Sequence, residues 1–99
     1  MKDFRLVMAD GELRLRMRSE LKDAIRREAN KRSDKANKRV SMSAVIRDVL
    51  QNIFKTDRLK KAILDESRRR TDEIGTLVSM NAIVIEILEK VFLKNRDIL

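Results

Sequence analysis

The chain has 99 residues, 24 Lys and Arg against 16 Asp and Glu, and a formal net charge of +8 at pH 7, with no Pro, Cys, His, Trp or Tyr and two Gly. That length supports one small domain, and the missing Cys excludes disulfides and thiolate metal sites. Without His, Cys or Tyr, proton transfer and nucleophilic attack fall to carboxylates and lysines at ordinary helix-surface spacing, so neither an enzyme nor a metal or cofactor site is expected.

The opening "MKDFRLVMAD" is too short and too charged for a signal peptide. No stretch approaches the roughly 18 consecutive apolar residues of a membrane span, so the expected location is cytoplasmic, away from membranes. At "GELRLRMRSELKDAI" (11–25) the pattern becomes informative: Leu13, Leu15 and Met17 alternate with Glu12, Arg14, Arg16 and Arg18. A period of two changes to 3.6 around Ser19, which predicts a strand over 12–17 leading into a helix capped by Ser19. A lone strand leaves its backbone groups unpaired, so a partner is required. Two are available: "FRLVM" folded back through "ADG", or the same strand of a second chain.

The rest reads as helix. Leu21, Ala24, Ile25 and Ala29 form a narrow apolar stripe, and Val45, Ile46, Val49, Leu50, Ile53 and Phe54 a stronger one behind a Ser41 N-cap. Shifted by 38 positions, residues 21–55 lie without gaps over 59–93, with 13 of 35 positions identical, including Val40-Ser41-Met42 over Val78-Ser79-Met80. This is a duplicated helix–turn–helix unit, with Ser79 as the second cap and Gly75 as the stop of the third helix. In the second copy "AIVIEIL" replaces the outward Arg47 with Ile85, widening the apolar face toward either a deeper core or a subunit interface. Charge divides unevenly: residues 1–55 hold 15 Lys and Arg against 8 Asp and Glu, and residues 56–99 hold 9 against 8. A basic half suits a polyanion, nucleic acid foremost, although a solvated helix surface also carries such charge.

"LRLRMRSELKDAIRREA" followed by "SMSAVIRDVLQNIFK" resembles the ribbon-helix-helix DNA-binding proteins of the Arc, MetJ and CopG type. Ser41, Ser43, Ile46, Arg47 and Leu50 fall on that family's second-helix pattern, and Ala44 stands at its usual acidic position. The resemblance covers about residues 12–55 and implies a mainly α fold: a dimer with one N-terminal strand per chain and about four helices. In such a dimer two strands pair into an antiparallel ribbon that enters the major groove of double-stranded DNA. Leu13, Leu15 and Met17 would then face the helices and the dimer, while Glu12, Arg14 and Arg16 read base edges. Arg18, Lys38, Arg39, Ser41, Met42 and Ser43 would meet phosphates. Three arginines in line repel one another unless a polyanion is near; the alternative is a solvated strand face.

Two features depart from the family pattern. The span from Ala29 to Ser41 is about six residues longer, with "SDKANK" as the insertion. A second-copy strand, sought 38 residues on at "LQNIFK" (50–55), has an inverted pattern and is already claimed by helix. The expected organisation is therefore an arm at 1–11, a DNA-binding unit at 12–55 and an oligomerisation or partner-binding unit at 56–99 using Ile83, Ile85, Leu88 and Phe92. The function this implies is a sequence-specific repressor acting as a homodimer or higher oligomer. The alternatives are an antitoxin or adaptor whose second unit grips a protein, and a DNA architectural or plasmid-transfer accessory protein.

Overall fold

A computed structural model describes residues 3–93; residues 1–2 of the expected arm and 94–99 of the expected second unit lie outside them. Two strands, β1 (Phe4–Met8) and β2 (Gly11–Leu15), precede four helices: α1 (Ser19–Ala36), α2 (Met42–Phe54), α3 (Leu59–Ile74) and α4 (Met80–Phe92). The mainly helical architecture with four helices is as the sequence predicts. The strand's partner is settled within the chain: β1 pairs antiparallel with β2, Phe4 opposite Leu15, Leu6 opposite Leu13 and Met8 opposite Gly11. The expected arm thus supplies the second ribbon strand, and no second chain is needed to satisfy the backbone of β2.

Alternation explains how the hairpin sits. Leu6, Met8, Leu15 and Met17 are buried and Phe4 and Leu13 pack against the same core, whereas Arg5, Val7, Glu12, Arg14 and Arg16 are exposed on the other face. Ala9 and Asp10 make the two-residue turn, and Gly11 follows with a φ of 151° that side chains rarely adopt. β2 ends at Leu15, and the amide of Arg16 donates to the side chain of Asn81 on α4 at 3.1 Å.

The two helix pairs share a set of bonds at the offset of 38. Ser41 accepts from the amide of Ala44, and Ser79 from that of Ala82, each at 3.1 Å. α1 and α3 stop at left-handed Asn37 (φ 54°) and Gly75 (φ 80°). The Ser33 hydroxyl donates to the carbonyl of Ala29 and accepts from the amide of Val40, as Thr71 does with Ser67 and Val78. Arg32 joins Glu28 to Asp48 across α1 and α2, and Arg70 joins Glu66 to Glu86 across α3 and α4. α1 starts at Ser19 after Arg18, so Ser19 is its first residue and not the cap; "SDKA" (33–36) prolongs the helix.

One core serves both copies. Leu21, Ile25, Ile46 and Leu50 from the first meet Leu59, Ile63, Val84 and Leu88 from the second, all at most 1% exposed. α1 packs on α4, α2 on α3, α2 against β1 and α4 against β2, an exchange expected of a quasi-twofold arrangement. The residues read as a subunit interface therefore lie inside one chain: Leu15, Met17, Ile83 and Leu88 are buried, and Leu13, Ile85 and Phe92 are half-buried against the core. At roughly 1.5–3 kcal/mol for each buried aliphatic side chain, this burial stabilises the fold within one chain.

Candidate nucleic-acid interface

The outer face of the hairpin concentrates charge because its inner face is committed to the core. Arg5 and Glu12 form an ion pair at 2.6 Å diagonally across the strands, and Arg16 lies 3.3 Å from Asp3. Arg16 is 79% exposed and Arg5 66% exposed, so these pairs contribute at most about 1 kcal/mol and exchange readily for other partners. Arg14 has no hydrogen-bond or ion-pair partner among the described residues. Glu12, Arg14 and Arg16, the residues read as a base-contacting row, thus stand together on one exposed face, joined by Arg5 and Val7 from β1.

The hairpin lies between two helix starts. At α2, the first-turn amides of Met42 and Ser43 have no carbonyl within the helix, and Lys38 and Arg39 stand exposed just ahead, their side chains without partners among the described residues. A cavity of about 390 Å3 opens here between Phe4, Arg26, Arg39, Ser41 and Ser43. At α4 the equivalent residues are Ser79, Met80 and Asn81, whose side chain already holds the end of β2. Arg18, assigned to phosphate by the resemblance, is 64% exposed and pairs with Glu89 of α4 at 2.8 Å.

Three further residues orient the hairpin. Arg47 reaches from α2 to the carbonyl of Val7 at 3.1 Å. Asn81 holds the amide of Arg16, as above. Asp10, at the hairpin turn, accepts from the amides of Lys60 and Lys61 at 3.0 Å each and so caps α3. Burial pushes the Asp10 carboxyl up, but the amides of Lys60, Lys61 and Asp10 itself, with the charge of Lys60, together hold it below the usual value. Sequence reasoning gave no site role to Arg5, Val7, Asp10 or Asn81, and it named Ser79 as a cap without placing the α4 start beside the hairpin.

Elsewhere charge is structural. Arg69 and then Arg70 hydrogen-bond Glu66 and draw its carboxyl down to about 2, and Lys90 and Arg70 hold Glu86 below its usual value. Glu66 is thus paired with both Arg69 and Arg70, and Glu73 with Arg69. No group of three or more metal-ligating side chains stands together among the described residues, and no helix there is long and apolar enough to cross a membrane.

No protein-family model, curated protein or solved structure matches this chain.

Proposed function

We propose that the chain is a sequence-specific DNA-binding repressor of the ribbon-helix-helix kind that enters the major groove with its own hairpin. The observation that carries this reading is an exposed two-stranded face bearing Arg5, Glu12, Arg14 and Arg16 on a buried apolar floor. A two-stranded ribbon fits the major groove, where arginine contacts guanine O6 and N7 and a glutamate accepts from cytosine N4. Val7 on the same face suits a thymine methyl. Lys38 and Arg39, ahead of the free amides of α2, supply phosphate contacts that fix the hairpin in register.

Mobility-shift titration of the full chain on selected and scrambled duplexes tests this. Arg14→Ala and Arg16→Ala each relax discrimination at one base position by about 1–3 kcal/mol. Specific binding that survives both substitutions unchanged removes the hairpin from the interface.

A further inference from the structure

A ribbon made by two identical chains repeats its outward residues by symmetry, and the site it reads is palindromic. Here both strands belong to one chain and they differ. The ladder is centred on Leu6 opposite Leu13, and the twofold through that pair exchanges Arg5 with Glu12 and Val7 with Arg14. At both symmetry-related outward positions the chemistry changes, from cation to anion and from apolar to cation. An arrangement that favours guanine under one strand favours cytosine N4 or a thymine methyl under the other.

The helices carry the same inequality outward. Arg27, Lys31 and Lys35 recur every four residues along α1, and Lys38 and Arg39 follow before α2; all five are exposed and without partners among the described residues. Their counterparts at the offset of 38 are Asp65, Arg69, Glu73, Thr76 and Leu77. In that second set Arg69 is neutralised by Glu66 and Glu73. The backbone frame is quasi-symmetric, whereas its charge is gathered at the first copy.

From these two inequalities we infer that one chain reads a non-palindromic duplex site in a single orientation, with its phosphate grip concentrated on the side of α2. The inference rests on the duplex-binding proposal above and adds the symmetry, stoichiometry and polarity of the site. Thr76 and Leu77 leave the α4 side without the cations that Lys38 and Arg39 bring to the α2 side. Backbone protection is therefore deeper on one side of the base-read segment.

Selection of the full chain on random duplexes, followed by native mass measurement and hydroxyl-radical footprinting, tests it. The expected result is one motif without inverted symmetry, one chain per motif, and protection extended to one side. The double variant Lys38→Thr, Arg39→Leu gives the first copy the residues of the second. It lowers the slope of log affinity against log salt by about 2 and shortens protection on that side. An inverted repeat occupied by two chains, or protection shortened equally on both sides, overturns the inference and leaves duplex binding standing. Selection that enriches nothing over random duplex overturns duplex binding, and the inference with it.

Discussion

Asp10 ties the hairpin turn to a helix that begins about 50 residues later, and its removal is a direct measure of that docking. Its two carboxylate oxygens each accept one first-turn amide of α3, from Lys60 and Lys61, at 3.0 Å. α3 has no side-chain cap of its own at Arg58, so Asp10 performs that role from across the fold. Asp10→Ala leaves two amide donors to water and removes a negative charge from the positive end of the helix, a loss of about 1.5 kcal/mol within the usual capping range. For a domain of this size that lowers the melting temperature by about 6–12 °C. Asp10→Asn, with one acceptor oxygen, falls between.

The pH dependence follows from the same contacts. Burial raises the Asp10 carboxyl, and the amides of Lys60, Lys61 and Asp10 itself, with the charge of Lys60, together lower it by more, so its folded value lies below its unfolded one. The stabilisation is full above the unfolded value and is lost as pH falls through the folded value. Thermal melts followed by helical circular dichroism, from neutral pH down to about pH 3, should show the gap between the parent and Asp10→Ala closing with acid. Equal melting temperatures at neutral pH, or a gap indifferent to pH, refute the docking of the turn on α3.

Three other outcomes are expected. Because the ribbon closes within one chain, the melting temperature is independent of protein concentration, and a midpoint that rises with concentration contradicts that closure. Gly75→Ala costs about 1 kcal/mol in urea unfolding because φ is 80°, with no added clash against the rest of the fold, where a Cβ meets nothing within 4 Å; Gly75→Asn costs less, as Asn37 already adopts this conformation in the first copy. Arg69 and Arg70 lower Glu66 from 4.5 to about 2, so its stabilisation is full above 4.5 and lost as pH falls toward about 2. Urea unfolding should therefore weaken with acid more steeply for the parent than for Glu66→Gln, and parallel profiles contradict the bridge.

The helices were legible because their apolar spacing, serine caps and left-handed stops are local signals, each resolved within a few residues. The repeat was legible for the same reason, since Ser41 and Ser79 cap their helices alike and Arg32 and Arg70 bridge theirs alike. The strand's partner was not. "FRLVM" carries a period-two pattern as good as that of "ELRLRM", and nothing local states whether a strand pairs with its neighbour or with another chain. Seeking the second strand 38 residues downstream also looked on the wrong side, because that strand precedes the first copy. The apolar face of "AIVIEIL" correctly marked burial on more than one side, but hydrophobicity does not say which chain covers it. At the candidate interface, alternation separated Glu12, Arg14 and Arg16 from the floor of Leu13, Leu15 and Met17. The pairing of Arg18 with Glu89 was not legible, because the two lie 71 residues apart.

The order of elements also dictates when the molecule can be finished. During synthesis the hairpin and α1–α2 emerge first, yet the bond that anchors the end of β2 spans 65 residues, from Arg16 to Asn81. Until α4 has left the ribosome, Leu15 and Met17 lack part of their cover and the nascent hairpin shows an apolar underside. Contacts of such long sequence separation close late and slowly compared with the helix pairs themselves. The ribbon is therefore fully supported only once α4 is in place, and a product interrupted before α4 carries the two strands without the support that holds them.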